Sequence, residues 1–325
     1  MPRLLAFCCA LCLATGANGQ WVQAHWDVMG TRAILEFWQD DAESGTSDNH
    51  PVTRAIKSEF ERLNNAFSPW VASSELYRVN TTAAITAQPV SDEFLYLMEK
   101  SREYYKLTDG AFDVTFASAG HLYDYREGKA PGDTELKQAV SAIGLNRVHV
   151  KDRQVLFSDA GTRLDFGGIA KGYAIDRAIA ILKQFKVQHA YISLGGDSYV
   201  LGDRRGRDWQ VGIRHPRNAQ AVAMRLPVSN TAVSTSGDYE RFFIRDGERI
   251  HHIIDPGSGR SSHGLVSVTI LARKSIDSDA LSTSVFVMGA ERGLVMINQM
   301  PDVSAVLITE QGEVLYSDDL TSPGS

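Results

Sequence analysis

The sequence predicts an α+β protein, because helical and strand patterns occur in separate runs along the chain. Two helical patterns lie within residues 51 to 107, strand patterns dominate from the end of a later helix to about residue 273, and a last helical pattern covers 279 to 299. A doubly wound parallel sheet would require regular alternation of strands and helices, which this chain lacks. No internal repeat of fixed period occurs.

The first elements follow from periodicity and from residues that begin helices. Residues 28 to 38, VMGTRAILEFW, alternate like a strand and precede a polar loop at 40 to 50. Pro51 suits the first turn of a helix. The apolar residues of this helix recur at intervals of three and four: Ile56, Phe60, Leu63 and Phe67. A second helix is predicted from about Ser91 to Leu107, because serine caps helix starts and two acids follow it.

The later elements centre on residues 163 to 177, RLDFGGIAKGYAIDR. A loop at 127 to 133 and short strands between 147 and 166 precede this stretch. Its extended run, with Asp165 at the end of a strand, breaks at Gly167-Gly168 and restarts as an amphipathic helix. Strand patterns follow, and Asp246-Gly247 between two of them predicts a hairpin.

The composition indicates a globular protein and excludes some partners. The chain has 325 residues, of which 43% are hydrophobic and 22% charged, so it can bury a full core in one large domain or two modest ones. Its formal net charge is -6, and no run of lysines and arginines offers a stripe for nucleic-acid phosphates. We therefore expect no nucleic-acid partner.

Residues 1 to 19, MPRLLAFCCALCLATGANG, have the layout of a secretory signal peptide, with an arginine, an apolar run and then small residues. We expect cleavage after Gly19 and a periplasmic protein. Cys8, Cys9 and Cys12 lie in this segment, so the mature chain would contain no disulfide, thiolate nucleophile or cysteine metal site. The cysteines leave open an inner-membrane lipoprotein with weak membrane association. Soluble export is favoured, because no small residue precedes the cysteines.

The glycine pair at 167 and 168 has two interpretations. Its spacing matches neither the dinucleotide-fold fingerprint nor the phosphate loop of NTPases. A helix start, glycines that admit a ligand to the backbone and the nearby Lys171 together favour an anion. The alternative is a tight packing corner in which Lys171 pairs with Asp165.

Three further groups of residues each have a functional and a structural interpretation. Asp279 and Thr283 lie four apart on one helix face, an oxygen pair suited to magnesium, or else a first-turn acid and a hydroxyl bonded one turn back. His252 follows a strand and is a candidate proton acceptor, or else a packing residue. Gly195-Gly196-Asp197 is a turn that borders the same cleft or has a purely structural role.

Seven motifs then occur in one order: MGT (29 to 31), TDGAFDVT (108 to 115), DFGGIAKGYAID (165 to 176), LGGD (194 to 197), SGDYERFF (236 to 243), HHIIDP (251 to 256) and DALSTSVFVMG (279 to 289). This order resembles that of the FAD:protein FMN transferases, the ApbE-type flavin transferases, over roughly residues 28 to 310. The resemblance implies an ApbE-like mixed helix and sheet fold with a flavin cleft between its halves. With the layout of the N-terminal segment and the polar tail DDLTSPGS, this predicts a transferase domain at 20–318, after a 1–19 signal peptide and before a disordered tail at 319–325.

The resemblance also implies an activity. The protein would use Mg²⁺ to cleave FAD at its pyrophosphate and transfer FMN to a threonine or serine of an exported or membrane-bound redox protein, releasing AMP. Two alternatives share the same residues. One is an FAD pyrophosphatase that gives FMN and AMP, and the other is a non-catalytic flavin-binding accessory protein.

Carried over by motif, the resemblance implies a role for each site residue. His252 would be catalytic and take the proton of the acceptor hydroxyl. The metal ligands would be the Gly168 carbonyl, Asp279 and Thr283, with Ser282 also near the ion. The FAD site would be formed by Met29, Trp70, Ala111, Phe112, Asp113, Asp165, Lys171 and Ile253.

Two stretches depart from the family pattern. Ser68-Pro69-Trp70 stands where Ser-Thr-Tyr is common. Residues 117 to 128, ASAGHLYDYREG, replace a Gly-Pro-Leu and Trp-Gly-Phe-Gly segment. Both departures concern the shape of the flavin pocket and the choice of acceptor more than the magnesium chemistry.

Overall fold

The computed structural model describes residues 19–40, 47–218 and 221–321. The strands in these ranges are β1 Gln20–Val28, β2 Thr31–Gln39, β3 Gln88–Pro89, β4 Val148–Lys151, β5 Gln154–Phe157, β6 Ala190–Leu194, β7 Asp197–Leu201, β8 Trp209–Arg214, β9 Val222–Val228, β10 Thr231–Gly237, β11 Phe242–Arg245, β12 Glu248–His251, β13 Leu265–Ala272, β14 Ser304–Thr309 and β15 Val314–Tyr316. The α-helices are α1 Pro51–Phe67, α2 Glu75–Thr82, α3 Asp92–Leu107, α4 Ala117–Gly120, α5 Asp133–Ser141, α6 Ala170–Gln184, α7 Ser275–Met288, α8 Ala290–Ile297 and α9 Asp318–Thr321.

An eight-stranded sheet forms the centre of the fold, in the order β1-β2-β6-β7-β10-β13-β14-β15. Every neighbouring pair in it is antiparallel. Helices are grouped instead of alternating with these strands, so the predicted α+β class is confirmed. Three smaller sheets, β3-β5-β4, β8-β9 and β11-β12, surround the large one.

The two faces of the large sheet bury different cores. The larger core contains side chains of α1, α3, α6 and α7, among them the fully buried Phe60, Phe94, Ile175 and Phe286. A smaller cluster on other strand residues includes Trp209 of β8. All eight residues of β13 are buried, which is the pattern expected for a strand covered on both faces.

The helix starts predicted near Pro51 and Ser91 are confirmed. The His50 side chain accepts a hydrogen bond from the backbone N–H of Val52 at the start of α1. The Ser91 hydroxyl accepts one from Phe94 at the start of α3. Side-chain caps of this kind satisfy helix N–H groups that lack an intrahelical partner.

Two predictions about element boundaries were wrong. The single strand predicted at 28 to 38 is the second half of a hairpin, because Met29 and Gly30 adopt φ values of 51° and 71° and turn the chain between β1 and β2. The helix predicted at 279 to 299 starts four residues earlier, at Ser275, and breaks at Gly289 with φ 81°. The Asp176 carboxylate, accepting from the N–H groups of Ser275 and Ile276, fixes the earlier start.

The ends of the chain are described only in part. The predicted signal peptide lies outside the described residues, except for Gly19. Of the tail predicted to be disordered at 319–325, residues 319 to 321 belong to α9, and the Asp319 carboxylate accepts hydrogen bonds from Ser304 and Ser317. The remaining four residues are outside the described part. No helix in the described ranges has the length and apolar character needed to cross a membrane.

Candidate active site

Lys171, in the first turn of α6, lies between two buried carboxylates. Its Nζ contacts Asp197 Oδ2 and is 3.4 Å from Asp279 Oδ1. Both aspartates are only 2% exposed. Two negative charges therefore share one ammonium, and the pair attracts it strongly enough to raise the pKa of Lys171 although burial alone would lower it. For Asp279, burial and then repulsion from Asp197 outweigh the attraction of Lys171 and raise the pKa.

Close backbone contacts hold these three side chains together. A Cβ on Gly172 would lie 2.2 Å from the Ser275 carbonyl oxygen, so only glycine allows α6 to approach the start of α7 this closely. The Gly172 N–H donates to Asp279 Oδ2 at 2.9 Å. On the sheet side, Gly195 has φ 67° and turns β6 into β7, which places Asp197 opposite Lys171.

The predicted oxygen ligands Asp279, Thr283 and Gly168 come together. Asp279 and Thr283 lie one turn apart on α7, as their spacing predicts. A Cβ on Gly168 would lie 3.3 Å from Thr283 Oγ1 and 3.3 Å from the ring of Phe112. Because α7 begins at Ser275, the alternative that Asp279 is a first-turn acid is wrong. Asp277 occupies that position.

Ser282 differs from the other predicted ligands. Its hydroxyl donates to the Asp279 carbonyl at 2.9 Å and lies 2.8 Å from Ser236 Oγ. The hydroxyl thus makes two hydrogen bonds within the protein, and its place near the ion stays a prediction. Thr283 Oγ1, 3.4 Å from the same Ser236 oxygen, faces Gly168 instead.

Asp165 belongs to an irregular loop, so the prediction that it ends a strand was wrong. The Asn80 amide donates to the Leu164 carbonyl and accepts from the Leu164 N–H, both at 2.8 Å, and so substitutes for a neighbouring strand. Asp165 Oδ1 accepts from the Gly167 N–H at 2.7 Å and shapes the turn into α6. Burial raises the pKa of Asp165, with the nearby Arg241 acting in the opposite direction.

The two adjacent histidines have different environments. His251 is tied down, because its Nε2 donates to the Ser262 carbonyl and its Nδ1 accepts from the Ile253 N–H. His252 is half-buried, and its Nδ1 atom is buried with no hydrogen-bond partner among the described residues. Burial, followed by the positive charge of Arg241, lowers the pKa of His252 to about 3. The imidazole is therefore neutral at neutral pH, and in this environment it is a weak base.

Three of the remaining predicted FAD residues lie next in sequence to residues that contact or border this cluster. Met29 forms the β1–β2 turn, where a Cβ on the next residue, Gly30, would lie 3.5 Å from Arg241 Nη2. Ile253 is buried beside His252. Ala111 precedes Phe112, whose ring packs on Gly168.

Two predicted FAD residues have features that the motif did not reveal. Asp113 Oδ1 accepts hydrogen bonds from the N–H and hydroxyl of Thr115, so this carboxylate caps a short 3-10 turn. Trp70 is 75% exposed, and no contact within the described ranges ties its ring to the cluster.

The sequence analysis missed two residues of the cluster. Asp197 was assigned only to a turn bordering the cleft, yet it contacts Lys171 directly. Arg241 received no role, although its charge acts on both Asp165 and His252. Its guanidinium makes no hydrogen bond or ion pair within the part of the chain that the structure describes. The sequence signal that could have drawn attention to it is its place in the SGDYERFF motif at 236 to 243.

Comparisons with known proteins identify the family of this chain. The sequence profile of the ApbE family matches residues 29–307. The chain belongs to the ApbE family. It is 35% identical over 256 residues to the FAD:protein FMN transferase of Treponema pallidum (strain Nichols), covering 72% of this chain and 70% of that protein. It is 31% identical to the FAD:protein FMN transferase of Klebsiella pneumoniae (strain 342), covering 89% and 90%.

Solved structures of ApbE proteins have the same fold. The crystal structure of the ApbE protein from Thermotoga maritima matches with a TM-score of 0.83 at 30% identity, covering 93% of this chain and 98% of that one. The flavin transferase ApbE from Vibrio cholerae matches with a TM-score of 0.82 at 25% identity, covering 94% and 99%. The predicted ApbE-like mixed helix and sheet fold is confirmed.

The predicted metal ligands on α7 and at Gly168 fit a magnesium ion in their chemistry. Asp279, Thr283 and the Gly168 carbonyl offer only oxygen atoms, which magnesium prefers. The described residues contain no group of three or more His, Cys, Asp or Glu side chains arranged for a metal. The predicted ligand set would not form such a group, since a hydroxyl and a carbonyl supply two of its three donors. Two buried carboxylates that share one ammonium also leave negative charge for a cation to balance.

Proposed function

We propose that this protein transfers FMN from FAD to a threonine or serine hydroxyl of an exported protein and releases AMP. Its similarity to proteins named FAD:protein FMN transferase supports the reaction. The observation that carries the assignment to particular residues is the position of Lys171 between Asp197 and Asp279 at the start of a helix. In the first turn of that helix, the N–H groups of Ala170 and Gly172 donate to the Phe166 carbonyl and to Asp279 Oδ2. The Lys171 N–H has no such partner among the described residues and would be available to an anion.

The chemistry of the transfer requires stabilised negative charge and one proton acceptor. The acceptor oxygen forms a bond to the phosphorus on the FMN side of the pyrophosphate, and the bond from that phosphorus to the bridging oxygen breaks, so that AMP leaves with the electron pair. Magnesium held by Asp279, Thr283 and the Gly168 carbonyl would supply positive charge to the phosphate oxygens.

The chain's own residues supply the other parts. His252 takes the proton of the acceptor hydroxyl, since its imidazole is neutral and its Nδ1 is unpartnered. Lys171 and Arg241 place positive charge on the side where the pyrophosphate would lie. Burial is the main cause of the low pKa of His252, and these two cations lower it further. Bound phosphate would offset their charge and make the imidazole a better base.

The proposal includes a place for the protein in the cell and a partner. The apolar run and small residues of 1–19 support export to the periplasm, with soluble export favoured over an inner-membrane lipoprotein. The flavin acceptor would then be an exported or membrane-bound redox protein. Intact-mass analysis of the periplasmic fraction should show a chain that starts near Gln20, and full-length protein confined to the cytoplasm would contradict export.

One experiment separates transfer from its two alternatives. Purified protein is incubated with FAD, magnesium and candidate exported proteins, and the products are analysed by mass spectrometry. Transfer gives AMP together with an FMN adduct on a threonine or serine. FMN and AMP without an adduct would identify an FAD pyrophosphatase, and bound but intact FAD would identify an accessory flavin-binding protein.

A further inference from the structure

The β11–β12 hairpin stands apart from the large sheet and leads directly into the candidate active site. Arg241 immediately precedes β11, and its carbonyl accepts from the His252 N–H that follows β12, at 3.1 Å. The Asp246-Gly247 turn, with φ values of 52° and 82°, closes the other end. The hairpin thus carries the two residues that influence proton transfer, Arg241 and His252, at its base.

The register of this hairpin fixes which backbone groups point away from it. Hydrogen-bonded and non-hydrogen-bonded residue pairs alternate along an antiparallel ladder. Because Arg241 and His252 form a bonded pair, the backbone N–H and carbonyl groups of Phe242 and Ile244 point away from β12. The equivalent outward groups of His251 on β12 are satisfied, since its N–H donates to Ser261 Oγ and its carbonyl accepts from that hydroxyl. The outward N–H and carbonyl groups of Phe242 and Ile244 have no partner in the described residues.

The side chains of β11 make this edge a suitable platform for another chain. Ile244 is 57% exposed, and Phe242 is 36% exposed with the Arg249 guanidinium 3.8 Å from its ring centroid. Phe243, on the opposite face, packs against Tyr125 with ring centroids 6.1 Å apart. The segment that departs from the family pattern therefore supports the hairpin from behind and leaves the β11 edge open.

We propose that an extended segment of the flavin acceptor protein pairs with the outer edge of β11. This inference rests on the proposed function, which requires a hydroxyl-bearing polypeptide to reach His252. Strand addition supplies backbone hydrogen bonds for affinity and side-chain contacts for selectivity. A segment paired with Phe242 and Ile244 continues past the Arg241 end of β11, about 10 Å from Ile244 at the usual rise per residue, and brings its next residues to the site.

Continuity with the active site favours the acceptor over a second copy of this chain. A copy paired along β11 would occupy the approach to Arg241 and His252, whereas the reaction needs that approach free for its protein substrate. In a symmetric antiparallel pair that joins Phe242 to Ile244 of the copy, the exposed Arg241 would also lie opposite the like-charged Arg245 of the copy.

Two substitutions at one position isolate the backbone contribution. Ile244→Pro removes the outward N–H and the side chain, and keeps every hydrogen bond between β11 and β12, because the N–H of residue 244 takes no part in that ladder. Ile244→Ala removes only the side chain. The thermal unfolding midpoint and the FAD dissociation constant of each variant show whether the fold and flavin site remain intact.

The probe is a library of twelve-residue synthetic peptides with one central threonine, from which substrates are selected by FMN incorporation with the wild-type protein. We expect Ile244→Pro to raise the KM for a selected peptide about ten-fold or more, since a lost hydrogen bond leaves a peptide carbonyl unpaired. Ile244→Ala should raise it less than three-fold. Bound peptide should slow amide hydrogen exchange at residues 242 to 245.

The outcomes distinguish this inference from the function on which it rests. Equal KM values for wild type and Ile244→Pro would overturn edge pairing while transfer itself stands. A wild type that modifies an intact exported protein but no peptide would also overturn it. A wild type that modifies neither would contradict the proposed function. A dimer in sedimentation that Ile244→Pro dissociates, with KM unchanged, would assign the edge to a second copy.

Discussion

Helix α6 carries two charged clusters that differ in how their charges are matched. On its exposed side, Arg177 joins Arg62, Glu59 and Glu93 in a network that links α1, α3 and α6. Two arginines meet two glutamates there, and Tyr173 adds a hydrogen bond to Glu93 at 2.7 Å. At the start of the same helix, Lys171 alone faces Asp197 and Asp279.

The difference shows how a structural network can be told from a binding site. Paired charges lower the pKa of Glu59 to about 2, mainly through the Arg62 hydrogen bonds, so the folded protein favours the ionised form. At the buried cluster the pKa of Asp279 is raised, so the folded protein disfavours its charge. A buried negative charge without enough positive charge is costly to the free protein, and it is the state that a bound cation would improve.

The substitution Asp279→Asn should have the largest effect, and it tests whether the buried cluster is a binding site. The variant should lose transfer by at least about a thousand-fold, on the order expected when charge stabilisation is removed from a reacting phosphate. Because the folded protein disfavours the Asp279 carboxylate, unfolding in magnesium-free buffer should occur at the same or a higher temperature than in the wild type. Retained turnover, or a variant that unfolds earlier, would show that Asp279 is a structural residue.

A second test concerns the unpartnered His252 beside the buried cluster. His252→Gln should lower FMN transfer about 10²- to 10⁴-fold, the usual contribution of a general base. FAD affinity should change less than about two-fold, since the imidazole acts on the acceptor hydroxyl in the transition state. Transfer assays and FAD titrations of the same preparation check both expectations. Weak FAD binding with a normal rate at saturating FAD would make His252 a binding residue.

In the network of two arginines and two glutamates, a substitution should lower stability and leave transfer unchanged. Arg62→Ala removes bonds to Glu59 and Glu93, and we expect a loss of about 1–2 kcal/mol in the free energy of unfolding, the sum of two partly exposed ion pairs. Transfer per folded molecule should stay unchanged. Urea denaturation beside an activity assay at saturating FAD measures the two effects. A fall in activity without a fall in stability would connect this network to the active site.

The smallest expected effect is the pH dependence of that network. The folded pKa of Glu59 lies below its ordinary value of 4.5, at about 2, so its contribution to stability is full above pH 4.5 and is lost as the pH falls toward 2. The difference in urea midpoint between wild type and Arg62→Ala should therefore be constant above about pH 5 and narrow at pH 3.5. A difference that is constant over this range would mean that Arg62 stabilises the protein by packing.

Local chemistry made parts of this molecule predictable. Pro51 and Ser91 mark helix starts through their own backbone and side-chain properties, and the four-residue spacing of Asp279 and Thr283 places them on one face. The contacts of Lys171 could not be predicted in the same way. Its partner Asp197 is reached through a hairpin and a helix packed on the sheet, which depend on the whole fold and not on nearby residues.

The surroundings of Arg241 and Met29 also could not be predicted from nearby residues. The motifs around them identify the ApbE family, but they give no measure of burial or of charge partners. Only the folded chain shows that the β1–β2 turn places Gly30 against Arg241. For Trp70 the motif position predicts a flavin contact, and the 75% exposure of its ring leaves that contact a prediction.

The pairing of β2 with β6 affects when this site can form. It joins residues 33 to 37 with residues 190 to 194, and β10 must then pair with both β7 and β13 to complete the centre of the sheet. Contacts between such distant parts of the chain close long loops and make folding slow. Asp279 lies still later in the sequence, so during synthesis Lys171 and Asp197 emerge from the ribosome well before their third partner. A partly made chain consequently cannot assemble the cluster, and the activity that depends on it begins only after nearly the whole polypeptide has folded.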